Sequence, residues 1–183
     1  MSLKPWQPQV VHDQLLEVGT SKSDVDATKF NYLEFRDAGR VRNVTVFADL
    51  LTKLRAAQGV ECCSFHLVSG QHVQRGDVAT VLVAVGRPNE PTFGIDMKAR
   101  GSQDTVAHIE KARKMGKLMH WGGIAMIIIG IPLIPVFVGI LIIGGGVILR
   151  RTGKNMVRGM QYQLDMLEQC SATLKRIPGV RLV

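Results

Sequence analysis

The sequence predicts an α+β protein in two parts: a small antiparallel β-rich domain of order ββαβββ, then a helix, a proline-interrupted membrane segment and an amphipathic C-terminal helix. Three observations predict it. Residues 30–97 hold short alternating runs separated by turn signals, the pattern of strands in a small sheet. Residues 121–149 run for 29 positions without an ionisable side chain. Cations crowd both ends of that stretch, so the net charge of +8 lies almost wholly in the second half of the chain.

Residues 1–29 are read as an N-terminal extension, because Lys4-Pro5 and Gln7-Pro8 suggest a loose start and only 10–18 suggests a short element. The β-rich domain occupies residues 30–100. Within it the patterning gives strands at 31–36 and 40–47 around a turn at Asp37-Ala38-Gly39. A helix follows over Ala48–Ala57, ended by Gly59, and then strands at 60–68, 79–85 and 92–97. Short turns between adjacent strands imply antiparallel pairing, in a partly opened barrel or a sheet packed on one helix.

An apolar stretch of 29 residues exceeds the roughly 20 needed to cross a hydrocarbon core. As one straight helix it would run roughly 44 Å against a core of about 30 Å, so something must shorten it. Pro132 and Pro135 interrupt it near the middle, each removing a backbone donor and pushing the preceding residue out of helix. Two outcomes follow: a kinked single span, or a tight hairpin that enters one leaflet and returns. Lys111, Arg113, Lys114 and Lys117 flank one end, and Arg150, Arg151, Lys154 and Arg158 the other. Four cations against four would put one cluster on the wrong side of a single span, so the balance favours the hairpin. Its arms are too short to cross twice, which makes it re-entrant or monotopic. Trp121 suits an interfacial depth. The glycines, including Gly144, Gly145 and Gly146, permit close helix approach.

An amphipathic helix is expected over 103–119 before the membrane segment and another over 153–177 after it, leaving 178–183 as a tail. In the second helix Val157, Met160, Leu164, Leu167, Ser171 and Leu174 alternate spacings of three and four, an a/d seam. In a hairpin that seam packs on the first helix; in a single span it faces a partner or a second copy. It also suits packing on the chain's own β-rich domain.

Little in the sequence carries chemistry. Cys62, Cys63, His66 and His72 are the one cluster of metal-ligand or nucleophile types, and alternation in a strand puts only Cys62 and His66 on a common face. No G-x-S-x-G, P-loop, G-x-G-x-x-G or H-E-x-x-H motif occurs, so no catalytic residue, metal site or cofactor is assigned. Three cysteines, two of them adjacent, do not suggest a disulfide framework. The opening residues lack the apolar core of a signal peptide. Aromatic residues, 5% of the chain, are not interleaved with the basic clusters as a nucleic-acid platform requires.

The expectation is therefore a non-enzymatic accessory or scaffold protein of a membrane complex, a protective immunity role being one variant. The bulk of the chain would be cytoplasmic, at the inner membrane if the source is bacterial. Expected partners are anionic lipid and a protein partner or second copy, without nucleic acid. The alternative is a lipid-binding or membrane-remodelling hairpin protein, and behind it a membrane-bound enzyme using Cys62, Cys63 and His66.

Overall fold

The computed structural model describes residues 5–71, 77–97, 103–131 and 138–183. Nine strands form one mixed sheet: β1 Gln7–Asp13, β2 Leu15–Val18, β3 Ser21–Ser23, β4 Ala27–Phe35, β5 Gly39–Phe47, β6 Cys63–Gln71, β7 Val78–Gly86, β8 Phe93–Gly94 and β9 Arg181–Leu182. Three helices accompany them: α1 Ala48–Ala57, α2 Gln103–Gly130 and α3 Val138–Lys175. The chain divides into a β-rich unit, residues 1–100 with 165–183, and a helical unit, residues 101–164.

The strand order is β1-β6-β7-β5-β4-β2. Its two ends, β1 and β2, are consecutive in the chain with only Gln14 between them, so the sheet closes into a barrel. Counted as one bent strand, β1 and β2 pair antiparallel with β4 on one side and β6 on the other. β5 pairs parallel with β7, and α1 lies in the crossover after β5. A five-stranded Greek-key barrel so connected has the topology of an OB-fold. The α+β class is as the sequence predicts, but two features differ. The sheet is mixed rather than antiparallel, and the expected N-terminal extension supplies three strands of it.

Residue chemistry explains the closure. In β1 the inward positions near the bend are Val11 and Asp13, both buried. Asp13 accepts hydrogen bonds from the backbone N–H groups of Gln14 (2.7 Å), Asp37 (2.7 Å) and Ala38 (2.8 Å). One carboxylate thus ties the bend to the β4–β5 turn. Those amides, Ala38 foremost, together with Arg36 outweigh burial and hold the Asp13 pKa below its ordinary value. A depressed folded pKa means the unfolded chain binds the proton more readily. The contribution is therefore full above about pH 4, the ordinary Asp range, and is lost as pH falls through the lower folded value. Asp13→Asn is expected to lower the urea stability at pH 7 by about 1–3 kcal/mol and to flatten its fall below about pH 4. Equal pH slopes in the two proteins would remove Asp13 as the acid-sensitive clamp.

In β5 the alternation breaks at Asn43, which adopts a left-handed φ of 53°. Val44 and Val46 face inward beyond it, and the residue flips the strand's facing by one. Asparagine is among the few side chains that visit this region readily, and its Nδ2 donates to the Val78 carbonyl at 3.1 Å. β7 is buried continuously from Thr80 to Gly86, as a central strand covered on both faces is. Inside the barrel Phe35 and Phe65 meet edge to face at 5.0 Å. α1 buries Leu50, Leu54 and Ala57 against the barrel.

β8 pairs antiparallel with β7 in the sheet, and Leu174 and Val180 cover the outer face there. Gly94 lies beneath Leu174 and Val180 so closely that a methyl group there would clash with both and press on Ala84. β9 pairs parallel with β8, and the Arg181 and Val183 N–H groups donate to the Thr92 (2.8 Å) and Gly94 (3.1 Å) carbonyls. The expected tail is thus part of the sheet, and the helix expected over 153–177 is the end of a longer α3.

Candidate functional site

The helical unit is an excursion: the chain leaves the β-rich unit after β8 and re-enters it before β9. Within it α2 and the first two-thirds of α3 run antiparallel at backbone contact. A methyl group at Gly123 would lie 2.5 Å from the Gly146 carbonyl oxygen and 2.6 Å from the Arg150 nitrogen. One at Gly153 would lie 2.5 Å from the Gly116 oxygen and 2.7 Å from the His120 nitrogen. Real side chains do not approach backbone so closely, so glycine is required at these crossings. Gly116 and Gly123 are seven residues apart, as are Gly146 and Gly153, and the sequence repeats the interval at Gly130 and Gly139. A seven-residue interval keeps a residue on the seam between two closely packed helices.

Of the glycines singled out from sequence, only Gly146 makes such a contact. Gly144 faces open space, and Gly145 meets only Met126 Cε at 3.6 Å. Gly116, Gly123 and Gly153 were missed, and the signal that finds them is the heptad interval on both arms. Pro132 and Pro135 lie outside the described residues. The a/d seam divides. Val157 packs at Gly116, Met160, Leu164 and Leu167 are half-buried, and Leu174 is buried in the β-rich unit over Gly94.

Beyond the cations, large apolar side chains point to solvent. Trp121 is 68% exposed, Ile128 62% and Ile148 68%, with Ile129, Ile131 and Val147 also exposed. No helix among the described residues is long and apolar enough to cross a membrane. The antiparallel register also places the two cationic clusters at one level, since His120 Nδ1 lies 3.3 Å from the Arg150 carbonyl oxygen. An open groove of about 240 Å³ lies there, lined by Lys117, His120, Trp121, Arg150, Lys154, Val157 and Arg158, mostly through their apolar carbons. Lys111, Lys114 and Arg151 are exposed and Arg113 half-buried; none of these four lines the groove.

The cysteine and histidine cluster is not assembled as alternation suggested. Cys62 sits in a turn with φ of 57°, outside β6, so it does not share a strand face with His66. Cys63 points into the core, its Sγ 3.8 Å from the Ala57 oxygen, and burial pushes its thiol pKa up. Burial, with His12 nearby, pushes the His66 pKa down. His72 lies outside the described residues. Among the described residues no group of three His, Cys, Asp or Glu is placed to hold a metal. Cys170 is a buried thiol pushed up to about 12 by burial, a poor nucleophile.

The barrel's outer face on β4 and β5 is occupied by its own ion pairing. Arg40 bonds Glu34 at 3.1 Å and stacks 4.8 Å over Tyr32, whose hydroxyl donates to Glu17 at 2.8 Å. Comparison of the chain with protein-family models, with curated proteins and with solved structures finds no match.

Proposed function

We propose that this protein is a non-enzymatic membrane-anchored accessory or scaffold protein. In this reading the glycine-seamed hairpin enters one leaflet and holds the barrel at the cytoplasmic surface. The observation that carries the reading is the return of residues 165–183 to the β-rich unit. Were the apolar stretch to cross the bilayer once, β9 would lie on the opposite side from β8, to which it is hydrogen-bonded. A hairpin puts both on one side. The apolar part of each arm, about 11 or 12 residues, reaches roughly 16–18 Å, close to one leaflet of a core about 30 Å thick. The exposed Trp121, Ile128 and Ile148 then face lipid, and the level cationic clusters meet headgroups. A barrel of this topology hosts many functions, so the fold itself assigns none.

A second reading, a membrane-remodelling wedge, is favoured by the same short hairpin with cations at a single level. Curvature generation separates it from a scaffold: tubulation of vesicles by the purified chain supports the wedge.

Topology is tested by thiol labelling in intact and opened cells. Exposed Cys62 reports the side of the barrel, and Lys114→Cys and Arg151→Cys, on a Cys62→Ser background, report the two helix flanks. All three are expected to react only once the cytoplasmic side is accessible. Labelling of Lys114→Cys and Arg151→Cys from opposite sides would sink the hairpin.

A further inference from the structure

We infer that the groove between α2 and α3 lined by Lys117, His120, Trp121, Arg150, Lys154 and Arg158 is a discrete binding site for the phosphate of an anionic phospholipid. The inference rests on the membrane-inserted reading and goes beyond it, since general attraction of cations to a charged surface needs no site.

The charge is concentrated. Residues 101–164 hold eight Lys and Arg against only Asp104 and Glu110. Lys117, Arg150, Lys154 and Arg158 take no part in the ion pairs Arg36–Glu61, Arg40–Glu34 and Arg87–Glu90 found among the described residues. Like charges on two helices repel, yet the backbones are brought together here at Gly116–Gly153 and Gly123–Gly146, on either side of the His120–Arg150 level. That arrangement holds cations from both helices at one place, and an anion between them relieves the repulsion. The chemistry suits a phosphate: Arg150 and Arg158 offer forked donors, and Lys117 and Lys154 offer point charges.

The position selects a lipid rather than a free anion. Trp121 forms one wall, and Ile128 and Ile148, exposed further toward the tip, continue the apolar surface. A headgroup phosphate seated in the groove would place its acyl chains along that surface. His120 contributes a polar ring edge, its Nδ1 lying 3.3 Å from the Arg150 carbonyl oxygen.

The test uses the full chain in detergent, titrated with a short-chain phosphatidic acid and followed by ³¹P NMR and native mass spectrometry. One-to-one saturable binding is expected. Lys154→Gln with Arg158→Gln, both exposed and therefore compatible with folding, is expected to weaken it about 30-fold, taking about 1 kcal/mol per cation. The off-groove pair Lys111→Gln with Lys114→Gln makes the same charge change and is expected to leave one-to-one binding within about threefold. Equal weakening by both pairs would mean diffuse attraction and overturn the site. Inorganic phosphate binding as tightly as the lipid would overturn the lipid assignment. Incorporation into nanodiscs of phosphatidylcholine alone is scored separately: failure there counts against membrane insertion, while the detergent titration still reads the groove.

Discussion

Replacing Gly123 by alanine is expected to destabilise the helical unit by about 1–3 kcal/mol, and Gly123→Ala with Gly146→Ala to separate the two helices. The sign is informative because alanine is the better helix former by about 0.8–1.0 kcal/mol, so propensity alone predicts stabilisation. Propensity wins where space is open and loses where backbone stands in the way. At Gly123 the obstacle is the Gly146 oxygen at 2.5 Å, which cannot rotate aside. At Gly144 there is nothing within 4 Å, so Gly144→Ala is expected to be neutral or stabilising. Thermal unfolding of the full chain in detergent, followed by circular dichroism, measures the contrast. Equal effects at Gly123 and Gly144 would show that the seam does not depend on glycine. Gly116→Ala should cost less than Gly123→Ala, because its nearest obstacles, Val157 Cγ2 at 3.0 Å and the Gly153 oxygen at 3.2 Å, stand farther off than the Gly146 oxygen does from Gly123.

Leu174→Ala carries the second large expected effect, about 2–5 kcal/mol, as for other buried leucines. Leu174 is 6% exposed and seals the outer face of the barrel at Gly94. Hydrogen exchange gives the finer readout. The Arg181 and Val183 amides, bonded to Thr92 and Gly94, should lose protection first, while amides of β4 and β5 remain slow. Uniform acceleration across the barrel would instead mean that the C-terminal cover is integral to its stability.

The parts of this architecture legible in sequence are those governed by local periodicity. α1 matches the 48–57 helix read from patterning, since Phe47 leads into an amphipathic turn that Gly59 stops with φ of 77°. The apolar run at 79–85 announces a buried strand, and the apolar stretch with its two cationic flanks announces an unusual helical excursion. β1 and β2 are legible only as one short element over 10–18 in a loose extension, because the inward residues of β1 near the bend are a valine and an aspartate. Asp13 reads as a surface position until its three backbone donors are seen, and those come from residues both adjacent and 25 apart. Parallel pairing of β5 with β7 is equally invisible, because the crossover through α1 and β6 is a tertiary choice. In the helical excursion, attention to the apolar segment conceals the glycine interval, half of which lies in the charged flanks at Gly116 and Gly153. The cation level was hidden for a related reason: the two clusters are more than thirty residues apart in sequence and meet only through the antiparallel register.

The parallel pairing of β8 with β9 also sets an order of events during synthesis. Strands β1 to β8 leave the ribosome first and can pair into a barrel whose outer wall at Ala84 and Gly94 is still bare. The hairpin emerges next, and only afterwards does the segment bearing Leu174 and Arg181 become available to cover that wall. Sealing of the barrel therefore waits until α2 and α3 have been made, and the segment bearing Leu174 and Arg181 acts as a latch that closes after them.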